Sequence, residues 1–247
     1  MIVFIIGAQR SGTTKVASYF REILGIPGHA ESHIFRLMHH LEVGVSEIQR
    51  TIPRNAYSLN KVGADRLLRM SYHAYKSTYL DYLDWPQIAY DKTPGFEMVN
   101  ACKQIAKFDE TARFIHLTRS GIGNVESLLR KDEGRSFESA CKTWSQVISA
   151  FDVVYPVIKD RTLSLTMEEL AENPFNVHSQ ITSFLEGYGS DIDRSVVEDF
   201  FSTTSKSSKL NYVPRTEPSL GDTGWTEDEQ TKFKEICGRE MISAGYW

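Results

Sequence analysis

Ile2-Val3-Phe4-Ile5-Ile6 is an unbroken apolar run rich in β-branched side chains, and Gly7 follows it at once. A strand with one wet face alternates apolar and polar residues. A strand without alternation is covered on both faces, as parallel strands inside α/β sheets are. The run is too short for a signal-peptide core or a membrane span. Behind it come the loop Gly7–Gly12 and a stretch with Val16, Ala17, Phe20 and Leu24 at helical spacing. Strand, glycine loop and helix thus follow one another directly. Such a loop points backbone N–H groups and a helix N-terminus at an anion.

The same alternation continues along the chain. A helix is predicted from about Val62 to Leu83, a short strand over Gln87–Tyr90, and a helix over Phe96–Lys107. Arg113–Thr118 reads as a strand, Asn124–Arg130 and Phe137–Lys159 as helices, and Thr162–Leu165 as a further strand. Thr166-Met167-Glu168-Glu169 is a capping box and Pro174 suits the first turn of a helix. Residues 28–60 have weak periodicity and read as short helices and loops, and Ser202–Gly224, dense in Ser, Thr, Pro and Gly, as a long loop. Thr226–Glu229 caps a last helix. Strands alternating with helices imply an α/β three-layer sandwich around a central, mainly parallel sheet. A chain of 247 residues with no dividing linker is expected to form one domain over 1–247.

A net charge of −4 favours no nucleic-acid partner, though a local basic pocket stays compatible with it. Cys102, Cys141 and Cys237 are far apart, which argues against a disulfide framework or a zinc site and for burial on helix faces. No His/Cys/Asp/Glu group has metal-ligand spacing, so no metal is expected. The expected setting is a reducing, cytoplasmic-type compartment with no membrane span.

Gly7-Ala-Gln-Arg-Ser-Gly-Thr-Thr14 has the spacing of a Walker A loop with Thr13 in the lysine position and Arg10 inside the loop. The lysine that reaches β- and γ-phosphates is missing, which disfavours ATP or GTP and favours a different 5′ anionic group. Arg10-Ser11-Gly12-Thr13-Thr14 resembles the 5′-phosphosulfate loop of sulfotransferases that use 3′-phosphoadenosine-5′-phosphosulfate (PAPS), whose usual form is Lys/Arg-Ser-Gly-Thr-Thr/Ser. The resemblance covers most of the chain. Arg113–Arg119, followed by Ser127 on the next helix, resembles the family's strand-end Arg and Ser that grip the 3′-phosphate. An Arg at the carboxyl end of a parallel strand stands where ligands bind in open α/β sheets. Asp91-Lys92-Thr93-Pro94, Met167-Glu168-Glu169-Leu170 with Asn173-Pro174, and Gly224-Trp225-Thr226 resemble three further family segments, in the family's order.

The chain also departs from the family. Pro94 stands where cytosolic members carry a catalytic His, Lys15 where they have an adenine-stacking aromatic, and Met167 where they have a Tyr. No "R-K-G" triplet occurs near the C-terminus; Arg215 is the candidate substitute toward the 3′-phosphate. The chain therefore resembles bacterial and heparan-type members more than the phenol and steroid branch. The resemblance implies PAPS as donor, adenosine 3′,5′-bisphosphate as product, and Arg10, Ser11, Gly12, Thr13, Thr14, Arg119, Ser127, Met167 and Arg215 as binding residues. Arg10 and Lys92 are the candidates for stabilising developing charge. Ala30–Phe35 resembles in position a heparan-type segment that carries a glutamate base, which makes Glu31 the first choice and His33 the second, since its unperturbed pKa of about 6.5 also suits a base. His116, mid-strand, and His39-His40 read as structural and surface residues. Tyr57, Tyr72, Tyr75, Tyr79 and Tyr82 could line a pocket, but their helical spacing favours packing.

The expected reaction is sulfuryl transfer by in-line displacement to a hydroxyl or amine of a small-molecule, lipid or carbohydrate acceptor, which the sequence does not identify. A small-molecule kinase and a non-catalytic PAPS- or nucleotide-binding module are the rivals, the first disfavoured by the missing Walker lysine. The sequence leaves the oligomeric state open.

Overall fold

The computed structural model describes residues 1–51, 63–202 and 219–247. Strands β1 (Ile2–Gly7), β2 (Gly28–Ala30), β3 (Ala89–Lys92), β4 (Arg113–Thr118) and β5 (Thr162–Thr166) form one sheet in the order β2-β3-β1-β4-β5. Every pairing is parallel. Around it lie α1 (Thr13–Glu22), α2 (Ile34–Thr51), α3 (Ala64–Tyr82), α4 (Phe96–Phe108), α5 (Gly121–Lys131), α6 (Phe137–Ile158), α7 (Met167–Glu172), α8 (Pro174–Phe184), α9 (Arg194–Ser202) and α10 (Glu227–Ser243).

β1 is buried throughout because its alternate side chains enter two separate cores. Ile2, Phe4 and Ile6 pack with residues of α3, α4, α6 and α10. Val3 and Ile5 pack with Val16, Ala17 and Phe20 of α1 and with Val177 and Ile181 of α8. This is the helix-on-both-faces arrangement of a parallel α/β sheet. The three cysteines are buried, on α4, α6 and α10. Among the described residues no helix is long and apolar enough to cross a membrane.

The capping boxes at Thr166/Glu169 and Thr226/Glu229 form as predicted, and Pro174 opens α8. Residues 28–51 differ from the short helices and loops expected there. They hold the edge strand β2 and the 18-residue helix α2. β2 is only three residues long and its Gly28 must lie against Tyr90, since a Cβ there would come 2.2 Å from the Tyr90 carbonyl oxygen. Three residues are too few to show a period. The strand expected over Gln87–Tyr90 runs instead over Ala89–Lys92, so Lys92 belongs to it, and α5 starts at Gly121 rather than Asn124.

Candidate functional site

The carboxyl ends of β1, β2, β3 and β4 all lie at one edge of the sheet because the strands are parallel. The loop after β1 is shaped by backbone contacts. Gly7 has φ +143°, and a Cβ there would sit 2.2 Å from the Leu117 carbonyl oxygen of β4. Its own carbonyl accepts from the Gly95 amide at 2.9 Å. Ser11, fully buried, folds the loop back on itself by donating its hydroxyl to the Ala8 carbonyl at 2.7 Å. Arg10 is left-handed, with φ +71°. Gly12, with φ +95°, precedes α1, and a Cβ there would meet the Met167 sulfur at 2.7 Å. Met167 thus backs the loop from the start of α7. Thr13 is buried and Thr14 exposed. The first-turn amides of a helix lack intrahelical acceptors, and no described residue accepts from the Gly12, Thr13 or Thr14 amides.

Three of the sequence candidates converge beside this loop. Arg10 Nε donates to Ser127 Oγ at 3.0 Å, and Arg119 Nη1 donates to the Arg10 carbonyl at 3.4 Å. Ser127 is buried on α5. Arg119 lies across the first turn of α5, where a Cβ on Gly123 would come 3.0 Å from its Nε. Its backbone carbonyl accepts from the indole of the buried Trp144 at 3.1 Å. Asn124 Nδ2 donates to the Gln9 carbonyl at 2.9 Å, while its buried Oδ1 has no partner among the described residues. The resemblance assigns Arg10 to one end of the ligand and Ser127 to the other; in the fold their side chains are hydrogen-bonded.

A second cluster forms where β2 and β3 end. Lys92 Nζ donates to Glu31 Oε1 at 2.8 Å, with the lysine side chain 4% exposed and the glutamate 48%. His33 Nε2 is 3.8 Å from Glu31 Oε2. The Lys92 hydrogen bond holds the Glu31 carboxyl below the usual range against a smaller opposing effect of burial; His33 and Lys131 also act on it electrostatically. Lys131 ends α5, the helix that carries Ser127. Glu31 and His33 are both left-handed, with φ +66° and +54°.

Two groups, Asp91 and the pair Phe200-Phe201, were not legible in the sequence, whereas Tyr75 and Tyr79 pack as their helical spacing predicts. Asp91 is fully buried beside Lys92 and accepts from Ser32, Tyr75 and Thr93. Burial pushes its carboxyl up, and the three hydrogen bonds pull against that. Tyr75 stacks on Tyr79, whose hydroxyl donates to the Tyr90 carbonyl at 2.5 Å, so these two tyrosines pack and bond inside the fold. Phe200 and Phe201 of α9 flank Lys15, whose Nζ lies 4.1 Å from the Phe200 ring centroid and donates to the Phe200 carbonyl. Aromatic surface thus reaches the start of α1 from α9; the doublet Phe200-Phe201 was the available signal. Tyr82 is exposed. His116 is buried against Phe151, and burial lowers its pKa to about 3, so it is a neutral core residue. Arg215 and Tyr57 lie outside the described residues.

A profile of the sulfotransferase family matches residues 3–187. No curated protein matches the sequence. Among solved structures, the sulfotransferase domain from the curacin biosynthetic pathway superposes with a TM-score of 0.53 at 14% identity, covering 96% of this chain and 97% of that one. Sulfotransferase STF9 from Mycobacterium avium gives a TM-score of 0.51 at 14% identity, over 98% of this chain and 76% of that one. At such identities the likeness is one of fold.

Proposed function

The chain belongs to the sulfotransferase family, and on that premise we propose that it transfers a sulfuryl group from PAPS to a hydroxyl or amine of a small-molecule, lipid or carbohydrate acceptor. The observation that carries this reading is the meeting of the glycine loop with Arg10, Arg119 and Ser127 at the carboxyl edge of the sheet. The residues fit the donor. Glycines at 7 and 12 let the loop pack closely on Leu117 and Met167, the Gly12, Thr13 and Thr14 amides have no acceptor among the described residues, Thr14 is exposed, and two guanidinium groups offer the planar forks that suit phosphate oxygens. Arg10, Ser11, Gly12, Thr13 and Thr14 would hold the 5′ end, Arg119 and Ser127 the 3′-phosphate, and Met167 would back the loop.

The donor supplies an activated sulfuryl group; the chain supplies charge and a base. Fixed positive groups aimed where negative charge develops lower a barrier more than they strengthen ground-state binding. Arg10 and Lys92 take that role. Glu31 receives the proton of the acceptor hydroxyl. Its depressed pKa keeps it a carboxylate near neutral pH but weakens it as a base. When the Lys92 ammonium turns toward a developing negative charge, the hydrogen bond that lowers the Glu31 pKa is released and basicity returns. His33 is the alternate proton acceptor at the same place.

Calorimetry with adenosine 3′,5′-bisphosphate against ADP plus Mg²⁺ tests the donor: tighter binding of ADP would turn the reading to a kinase. Mass spectrometry of a host extract incubated with enzyme and PAPS then reveals the acceptor as a sulfate-sized mass gain. With that acceptor, Glu31→Gln is expected to lower kcat by about 10²-fold with PAPS binding intact. A fully active Glu31→Gln beside an inactive His33→Ala would assign the base to His33.

A further inference from the structure

Asp91 has no part in the chemistry above, yet it is a fully buried carboxylate next to Lys92. Ser32 Oγ donates to its Oδ2 at 2.6 Å, Tyr75 OH to the same oxygen at 2.5 Å, and Thr93 Oγ1 to Oδ1 at 3.1 Å. Successive strand residues point to opposite faces, so Asp91 and Lys92 leave β3 on opposite sides. The turn after β2 straddles this strand end. Glu31 bonds to Lys92, Ser32 bonds to Asp91, and the Glu31 amide donates to the Lys92 carbonyl at 2.5 Å. Two consecutive residues of the turn are thus clasped to two consecutive residues of the strand, in reverse order and from both faces.

The turn needs such a clasp. Glu31 and His33 both hold positive φ without being glycine. Conformations of that kind persist only where the surroundings over-determine them. β2, at the sheet edge, is three residues long and pairs with β3 alone. We propose that Asp91 is a positioning residue: through Ser32 it fixes the turn 31–33 so that the Glu31 carboxylate is held beside Lys92. Tyr75 and Thr93 anchor the Asp91 carboxylate in turn, which leaves Ser32 as the arm that reaches the turn. The consequence for the reaction rests on the reading of Glu31 as base; the mechanical claim does not.

The test uses Ser32→Ala in the full chain, with Ser32→Thr as the variant that keeps the hydroxyl. Hydrogen–deuterium exchange of peptides covering residues 28–35 should be about tenfold faster in Ser32→Ala, since the side-chain hydrogen bond that ties the turn to β3 is lost. Peptides from β1 and β4 should be unchanged, and Ser32→Thr should restore protection. Asp91→Ala should reproduce the faster exchange; should that variant fail to fold, Ser32→Ala decides alone. Unaltered exchange in Ser32→Ala overturns the clasp. The second readout is release of adenosine 3′,5′-bisphosphate from PAPS in the same host extract. Ser32→Ala should lower kcat at constant KM for PAPS, and should cost nothing further in a Glu31→Gln background, because coupled residues are non-additive. Losses that multiply would show that Ser32 does not act through Glu31, and overturn the positioning role. A fully active Glu31→Gln would remove the base assignment, while the exchange measurement would still decide the clasp.

Discussion

The loop after β1 and the turn after β2 lie at the same edge of the sheet and both run through left-handed backbone, but they are held by different means. In the loop, Gly7 and Gly12 carry two of the positive φ values and Arg10 a third, and a Cβ at Gly7 would strike the Leu117 carbonyl. In the turn, Glu31 and His33 carry them, and the restraint comes from Lys92 and Asp91, 61 and 59 residues away from their partners. At Gly7 and Gly12 the first shape is set by close packing that leaves no room for a Cβ. The other is made by side chains that meet only in the folded chain. Gly7 in the first tolerates no side chain; the restraint on the second is built from side chains, which can be changed one at a time.

The largest effect that separates them is expected from Gly7→Ala. The new Cβ has a carbonyl oxygen at 2.2 Å in a buried strand end, and Ser11 Oγ at 3.0 Å. Overpacking together with an unfavourable backbone is expected to cost about 3 kcal/mol or more, a fall of roughly 10 °C in Tm for a chain of this size. A melt within about 2 °C of wild type, the shift expected from a change under 1 kcal/mol, would mean that the loop has slack and the contrast is false. Arg119→Ala comes next. A charge-assisted contact is worth about 1.5–3 kcal/mol, so adenosine 3′,5′-bisphosphate should bind about 10- to 100-fold more weakly while 5′-AMP changes little. Equal losses for both ligands in calorimetry would move Arg119 away from the 3′-phosphate.

The same contrast decides what could be read before the fold was known. Ile2–Gly7, the glycine loop and α1 were legible because strand, turn and helix chemistry are local, and the loop's glycines state their own backbone. Arg119 and Ser127 were legible as strand-end and helix residues, though not that Ser127 accepts from Arg10. The sheet as a whole followed from alternating patterns. β2 was illegible because three residues carry no period, and α2 because its pattern was lost in the surrounding His, Arg and Glu. Asp91 looked like an ordinary turn residue before Lys92; its burial depends on Tyr75 of α3 and Ser32, and no local signal announces either. Phe200 and Phe201 reach Lys15 from a helix that the sequence around the loop does not announce.

Acid should also act away from both regions, at the opposite end of the sheet. Asp109 precedes β4 and accepts from Lys76 Nζ at 2.6 Å, Tyr72 OH at 2.7 Å and Thr111 Oγ1 at 2.7 Å. Burial pushes its carboxyl up, but these hydrogen bonds outweigh that and bring the pKa to about 2. The folded pKa is below the unfolded value of about 3.9. Its stabilisation is therefore complete above pH about 4 and is lost as the pH falls through about 2. Asp109→Asn should melt below wild type at neutral pH, with the gap closing between pH about 4 and 2. A gap that stays constant through that window would show that the carboxylate's charge contributes nothing there.

The smallest effect is the sharpest test of the contrast, because it puts a glycine into the turn rather than taking one from the loop. His33 has φ +54° and a side chain 63% exposed, and its contact with Glu31 is 3.8 Å. An exposed pair of that kind is worth about 0–1 kcal/mol. Left-handed backbone costs a non-glycine residue about 1–2 kcal/mol, which His33→Gly would recover. Against this stands the greater freedom that glycine gives the unfolded chain, about 0.4–1 kcal/mol. The terms nearly cancel, with a small surplus on the side of stability. Thermal melts should therefore show His33→Gly within about 2 °C of wild type, and not below it by more. A drop as large as that expected for Gly7→Ala would mean that His33, too, is fixed by contacts its side chain makes, and that loop and turn are equally intolerant of change.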